Sequence, residues 1–393
     1  MPALPVLPLS SLLSGHSSLV LENVVEKFRG LGVDLLPKGE EEIAKEPLSA
    51  LLFLTGGTEH MALEFARGAR KPLLLLAHFG HNSLPAALET LARLREEGRK
   101  AWLLTEADGE ELPRFAQVAA LAHELFGKRV GLIGGASPWL VASSPDFSAF
   151  WEKLGLEIVE VPLSALRERI PEEAEILPEG EALGVGESER RMAGRVYAGL
   201  RALIADYRLS ALSIACFGLL SEGCTACWAL AHLSDAGLPA GCEGDLPALL
   251  ALWLGRLVSG YPGFLANPAE VDWKRERLLL AHCTVPLSLA ESFALRTHFE
   301  SGIGLAVAGK VKPGPYTLFR LGGKRLEKAF IVEGTVLPEW PGRENLCRTQ
   351  VWFKMPKGAL EKLLREPLGN HHVLIPGHHR PILRLFHEVF LSD

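Results

Sequence analysis

LSALLFLTGGTEHMALEFARGARKPLLLLAHFGHNS, residues 48–83, holds two continuous apolar runs of strand length with a helical repeat between them. Residues 48–57 read as a buried strand entering a glycine turn, and 71–78 as a second buried strand. Thr58 to Arg70 carries apolar residues at helical spacing. Strand, helix and strand in this order make a βαβ unit, and therefore a parallel sheet. The pattern continues outward with a helix from Ser83 to Glu97, a strand over 100–106 and a helix from Leu112 to Phe126. Upstream, MPALPVLPLSSLLSG reads as a first strand and turn. It has no basic residue before Lys27, whereas a secretory signal starts with positive charge. Parallel sheets bind ligands beyond the carboxyl ends of their strands. Here those ends carry Thr55-Gly56-Gly57-Thr58-Glu59 and His78-Phe79-Gly80-His81-Asn82-Ser83.

A second α/β series opens at KRVGLIGG (128–135), with a boundary near residue 127. GLIGGAS lacks both GxGxxG and the GK[ST] of a phosphate loop, so it is a weak nucleotide signal. A strand over 156–163 follows, then IPEEAEILPEGEALG (170–184), which reads as an exposed connection without regular structure. Glu187 to Tyr207 reads as a long helix and 209–218 as another buried strand. Beyond residue 238 the character changes. The runs 277–283, 302–309, 316–323, 328–337 and 349–355 are strand-like with few helices between them, and KPGP (312–315) and LGGKR (321–325) read as hairpin turns. Short helices around Ala359–Leu364 and Pro381–Phe390 close the chain. The expected fold is α/β: an N-terminal parallel-sheet domain (1–127), a middle parallel-sheet domain (128–237) and a C-terminal antiparallel, barrel-like β-rich domain (238–393).

Composition bounds the function classes. The chain has 393 residues, 48% of them hydrophobic, which suits two or three well-buried domains and leaves little room for disorder. A net charge of −6 with Lys and Arg spread throughout offers no nucleic-acid face, and no apolar run reaches the length of a membrane span. Six cysteines without framework spacing suit reduced thiols and a cytoplasmic home.

The chemistry concentrates at Gly241-Cys242-Glu243-Gly244-Asp245, between a short buried strand (238–240) and an apolar helix (246–257). Two carboxylates at a strand-to-helix turn can face a cleft, although Asp245 also stands where a helix N-cap would. Leu220-Ser221-Glu222 adds a carboxylate upstream, and Gly369-Asn370-His371-His372 adds imidazoles near the C-terminus. Glu222, Glu243, Asp245 and His371 together give oxygens plus one imidazole, the ligand set of Mn²⁺ or Mg²⁺ rather than zinc. Such a site polarises a carbonyl and its neighbouring hydroxyl while a carboxylate moves a proton, which is the chemistry of aldose–ketose interconversion. His282 ends a strand at a plausible cleft, with a buried, hydrogen-bonded histidine as the plainer reading. The Cys224-Thr225-Ala226-Cys227 pair has no second CxxC and reads as core, and His378-His379 reads as a solvent-facing turn.

The chain resembles the L-fucose isomerase and L-arabinose isomerase group, and its shorter fucose-isomerase-like members most. The stretches that carry the resemblance are LTGGTEH (54–60), LLLLAHFGHNSLPAALE (73–89), GLIGGASPWLVAS (131–143), GLPAGCEGD (237–245), AHCTVPLSLA (281–290), KPGPYTLFRLGG (312–323) and GNHHVLIPGHHR (369–380). The resemblance implies a cytoplasmic, Mn²⁺-dependent isomerase (with Mg²⁺ or Co²⁺ as alternatives) that works through an ene-diol. It also implies a three-domain subunit in trimers or hexamers, where one subunit's N-terminal domain covers its neighbour's site. Asp245 matches the family's metal-binding Asp, and His371 its Asn-His histidine. Glu222 matches the family's metal-binding Glu by spacing alone, leaving Glu243 as the fallback. On this expectation Glu222 and Asp245 hold the metal and form the acid–base pair, and His371 completes the site. Glu243 structures the turn and belongs with Asn370 and His282 to the substrate-binding residues, the latter two contacting metal ligands or sugar hydroxyls, and His81 and Asn82 reach a neighbour's pocket. The chain is far shorter than the founding fucose isomerases, which removes loops that shape a sugar pocket. Two other functions share the scaffold: a non-catalytic carbohydrate-binding or regulatory protein, and a lyase working through the same ene-diol.

Overall fold

The computed structural model describes residues 1–11, 17–69 and 71–393. The turn expected within residues 12–15 and the Arg70 end of its helix lie outside the described residues. The chain forms two compact units, the first made of Met1–Phe126 with Lys153–Gly155 and Leu385–Phe390, the second of the remainder.

The first unit is built on a parallel sheet of β1 (Ala3–Leu9), β2 (Asp34–Pro37), β3 (Ser49–Phe53), β4 (Leu73–Ala77) and β5 (Ala101–Thr105), in the order β2-β1-β3-β4-β5. All five residues of β3 and all five of β4 are buried, as a sheet covered on both faces requires. Leu51 and Phe53 of β3 alternate in register with Leu73, Leu75 and Ala77 of β4. They share one core with Ala62, Phe65 and Ala66 of the Glu59–Gly68 helix and Ala86, Leu91 and Leu94 of the Ser83–Glu96 helix. Thr58 and Ser83, which stand at the starts of these helices, direct their hydroxyls to the strand ends and cap neither helix. Ser83 Oγ donates to the Phe53 carbonyl at 2.6 Å and accepts from the His78 amide at 3.1 Å, fastening the ends of β3 and β4 together. Thr58 Oγ1 donates to the Thr55 carbonyl at 2.9 Å. His81 and Asn82 are exposed and adopt left-handed backbone, with φ of 51° and 57°. Consecutive non-glycine residues in that region are uncommon and concentrate at functional loops.

The second unit holds three sheets. A parallel sheet of β6 (Arg129–Ile133), β7 (Glu157–Val161), β9 (Ala211–Ile214) and β10 (Ala240–Cys242) runs in the order β10-β9-β6-β7. A closed antiparallel barrel is formed by β11 (Phe264–Asp272), β12 (Arg277–His282), β17 (Thr349–Lys354), β16 (Lys328–Val336), β15 (Gly314–Gly322) and β18 (His372–Pro376). Closure leaves no open edge, and every residue of β12 is buried. A third sheet runs β14 (Ala306–Val311), β13 (Ala290–Arg296), β8 (Glu181–Leu183). Parallel α/β sheets together with a barrel-like antiparallel region are the fold class that the sequence pattern implied. Among the described residues no helix is long and apolar enough to cross a membrane.

Three local readings differ. The 170–184 connection contains β8, paired in parallel with β13; all three of its residues are exposed, so no hydrophobic alternation announces it. The strand expected over 209–218 ends at Ile214, and Cys216–Glu222 turn into a 3-10 helix. KPGP joins β14 to β15, which lie in different sheets, so it is a crossing between sheets rather than a hairpin. LGGKR does close a hairpin, β15 to β16, with Gly322 opposite Lys328.

Candidate metal centre

Beyond β10 the chain makes the GCEGD turn and enters the Leu246–Ser259 helix. Glu243 takes a left-handed φ of 62°, and Gly244 follows at 72°. A Cβ on Gly244 would lie 2.2 Å from the Gly135 carbonyl oxygen, so this position must be glycine for the turn to sit against the loop after β6. The Ser137 amide donates to the Glu243 carbonyl at 2.8 Å and locks the same contact.

Asp245 caps the helix: its Oδ1 accepts from the Ala248 amide at 2.8 Å, with Pro247 in the first turn. Its Oδ2 accepts from Arg320 Nη1 at 2.8 Å and faces His371 Nδ1 at 3.0 Å. Arg320, on β15, also donates through Nη1 to the His371 carbonyl (2.9 Å) and through Nη2 to Ser143 Oγ (2.6 Å). Both ion-pair partners are fully buried. Gly369 is required here too. Its φ is 146°, and a Cβ would come within 2.4 Å of Arg320 Nη2. The Asp245 carboxylate is therefore filled by N–H donors on both oxygens. Burial would raise its pKa, but the Arg320 charge and the His371 bond overcome this and hold it at about 2.

His371 stands immediately before β18. With Nδ1 turned to Asp245, the opposite nitrogen, Nε2, points toward Glu243 Oε1 at 3.5 Å, too far for a well-formed hydrogen bond. It is a buried polar atom left without a hydrogen-bond partner. His282, the last residue of β12, completes the group; its Nδ1 meets Thr284 Oγ1 at 2.9 Å, and its ring stands edge-on to His371 with centroids 5.5 Å apart. One ligand atom each from Glu243, His282 and His371 lie within 4.8 Å of one another, which makes these three a group able to hold a metal ion. The orphaned Nε2, the buried carboxylate and the second imidazole fit a divalent cation, since one ion answers all three.

The electrostatics agree. Burial, followed by the charge on His371, pushes His282 down to about 3 and keeps it neutral, the state in which imidazole ligates. Burial opposes charge on His371 as well, yet Asp245 and Glu243 raise its pKa to about 9. Burial likewise works against ionised Glu243, and His371 and Trp139 outweigh it, so the carboxyl lies below its usual range. Without an ion, the proton sits on His371 as an imidazolium between the Asp245 and Glu243 carboxylates.

The expected site residues divide. Glu243, Asp245, His282 and His371 converge. Glu222 does not join them: its carboxylate lies 3.0 Å from Arg167 Nη2, partly exposed, and accepts from Ser221 Oγ at 2.7 Å. Asn370 is exposed, with its carbonyl against His372 Nδ1 at 3.0 Å. His81 and Asn82 lie in the first unit, at the end of β4. Arg320, Ser143, Trp139 and Thr284 were not singled out by sequence. Arg320 left one signal, a lone cation within the apolar run YTLFRLGG, which demands a buried partner. The two thiols of the CxxC are buried, and all six cysteines are unpaired.

No family model matches the chain. Over 288 residues it is 27% identical to the sulfoquinovose isomerase of Alkalicoccus urumqiensis, a match covering 68% of this chain and 64% of that protein. The relatives it is similar to are sulfoquinovose isomerases. The one from Clostridium sp. (strain MSTE9) is 26% identical over 175 residues, 42% of this chain and 38% of that protein. The one from Priestia aryabhattai is 23% identical over 233 residues, 54% and 51% of the respective lengths. Each match spans less than two thirds of the relative's length.

Proposed function

We propose that this chain is a metal-dependent aldose–ketose isomerase acting on a sugar. The observation that carries the reading is the buried Glu243–His282–His371 group with its unpartnered Nε2, in a chain similar to sulfoquinovose isomerases. Glu243, His282 and His371 would hold the ion; two imidazoles and one carboxylate also suit zinc or iron, so the preference for Mn²⁺ comes from the family resemblance and not from this ligand set. Bound there, the ion would supply Lewis-acid polarisation of the carbonyl at C1 and acidify the hydroxyl at C2.

The chain's own residues do the rest. Asp245 accepts the His371 Nδ1 proton, which fixes the tautomer and turns the Nε2 lone pair into the site; Arg320 and the Ala248 amide hold Asp245 in place. Thr284 orients His282 in the same manner. Glu243 is the carboxylate of the metal group, and we assign to it the proton transfer between C1 and C2. This reading gives Asp245 an orienting role and leaves Glu222 out of the chemistry. Sulfoquinovose, the sugar named for the relatives, is the first substrate to test. The three-domain division at 127 and 237 and a cytoplasmic home form part of the proposal. So does a homo-oligomer, trimer or hexamer, in which His81 and Asn82 reach a neighbour's pocket; their exposure and left-handed backbone support that role.

The test is chelation and restoration. Activity on sulfoquinovose, glucose and other aldoses, scored as ketose formation, is lost on removal of divalent ions and returns with Mn²⁺ better than with Ca²⁺. Full activity in metal-free protein overturns the reading.

A further inference from the structure

Trp139 combines two features that rarely meet. The residue is 49% exposed, yet its indole N–H donates to Glu243 Oε2 at 2.5 Å. A single exposed aromatic is ordinary. One fixed to a buried carboxylate of a candidate metal group is not. The ring stands edge-on to Phe217, with centroids 5.0 Å apart and planes at 81°. Phe217 in turn stands edge-on to His298 at 5.5 Å and 83°. Three rings from three separate segments thus run in a row from Glu243. Trp139 comes from the loop after β6, Phe217 from the 3-10 turn after β9, and His298 from the connection between β13 and β14. Phe217 is half-buried, and His298 is buried with Nδ1 against Ser301 Oγ at 3.0 Å.

We propose that the exposed ring of Trp139, backed edge-on by Phe217 and the buried His298, is the wall on which a pyranose ring lies on binding, with its C1–C2 edge toward Glu243, His282 and His371, where ring opening then frees the C1 carbonyl. A pyranose with mostly equatorial hydroxyls shows axial C–H groups on its faces, which are apolar, and hydroxyls around its rim. An aromatic wall takes the face, and polar groups at one end take the rim, as in ligand sites that pair apolar lining with a few fixed polar atoms. The bond to Glu243 holds the indole in one orientation before the sugar arrives, so little side-chain freedom is lost on binding. The ligand class this selects is a cyclic aldohexose, over an acyclic polyol with the same hydroxyls. The identity of the reacting edge rests on the isomerase reading; the wall does not.

The experiment measures direct binding by calorimetry alongside KM and kcat, on Mn²⁺-saturated protein, with sulfoquinovose, D-glucose and the acyclic sorbitol. Trp139→Ala removes ring and donor together, and Trp139→Phe removes only the donor. Trp139→Ala is expected to weaken binding of the cyclic sugars roughly tenfold or more, with sorbitol changed by less than about twofold. Trp139→Phe is expected to keep cyclic-sugar binding within about threefold while kcat falls about tenfold, because Glu243 loses its donor. Where Trp139→Ala does not fold, Phe217→Leu carries the same comparison with a smaller loss, about threefold. Unchanged binding in Trp139→Ala, or an equal loss for cyclic and acyclic ligands, overturns the proposal. A changed assembly state by light scattering with sugar binding intact also overturns it, since Trp139 would then cover a subunit contact. Wild-type protein that binds none of these sugars overturns it as well. Wild-type protein that binds them without forming ketose defeats the isomerase reading and leaves the wall standing on its own binding data.

Discussion

Two neighbouring strands of one parallel sheet, β9 and β10, lead into segments that carry carboxylates, with opposite outcomes. Past β10, Glu243 and Asp245 are buried and meet Trp139, Arg320, His371 and the Ala248 amide. Past β9, the chain tightens into a 3-10 turn and Glu222 ends at the surface against Arg167. Position at the end of a strand is thus insufficient for a site. What separates the two is the supply of N–H donors from other elements, because only a carboxylate with enough of them can remain ionised away from water.

The largest effect that can break this comparison is on metal affinity. Glu243→Gln and His371→Gln each remove a proposed ligand and should weaken Mn²⁺ binding by at least ~100-fold, more than the usual effect of residues that only orient a ligand. Glu222→Gln should change it by less than about threefold. Calorimetric titration of the metal-free protein checks all three. A Glu222→Gln variant as defective as Glu243→Gln reverses the contrast.

Stability comes next. Asp245→Asn leaves the Arg320 guanidinium buried opposite a neutral amide, and breaking a buried pair in this way costs about 3–5 kcal/mol. Denaturant unfolding should show it in the absence of any ion. The pH dependence sharpens the point. The raised His371 pKa means its imidazolium contributes stability that is fully present below pH 6.5 and lost as pH rises through about 9. Metal-free protein should therefore lose melting temperature over that window. Mn²⁺-saturated protein should not, because the ion takes the proton's place, and binding below pH 9 should release a proton. Asp245 acts at the other extreme: its contribution is present above pH 3.8 and lost toward about 2.

Much of this arrangement was legible in the sequence, for a physical reason in each case. The buried runs of β3 and β4 announced parallel pairing because both faces of such strands must be apolar. GCEGD and GNHH stood out because carboxylates and imidazoles cluster beside glycine turns there, even though Asp245 also read as a helix cap, which it is. The structure brings Asp245 and His371 together across 126 positions. Other features carried no local signal. Spacing along the chain does not say which way a 3-10 turn faces, so Glu222 read as the metal ligand and Glu243 as its fallback. β8 is held by backbone bonds with all its side chains in water, and backbone pairing leaves no hydrophobic pattern. His282 read as a contact to a metal ligand or a sugar hydroxyl; a single histidine at a strand end says nothing of the His371 ring that stands opposite it. The crossing at KPGP looked like a hairpin because turn chemistry reports the local bend and not which sheet the next strand enters.

The smallest expected effect is the most exacting for the comparison. Glu222 and Arg167 are an ion pair of partly exposed side chains, 31% and 42% accessible, with N···O of 3.0 Å. Arg167 also donates to the Gly218 carbonyl at 3.0 Å, so the guanidinium is held whether or not the carboxylate is charged. Such pairs gain little in high dielectric and are screened by salt, so a double-mutant cycle of Glu222→Gln and Arg167→Gln should return a coupling below about 1 kcal/mol. It should shrink further between low salt and about 1 M NaCl, where the screening length falls to about 3 Å. A carboxylate that bound an ion in the working protein would behave differently. Its coupling to Arg167 would change sign or size when Mn²⁺ is added, since an ion and a guanidinium would compete for the same oxygens. Identical cycles with and without Mn²⁺ leave Glu222 at the surface; a Mn²⁺-dependent coupling would bring it back to the metal centre and dissolve the contrast between the two strand ends.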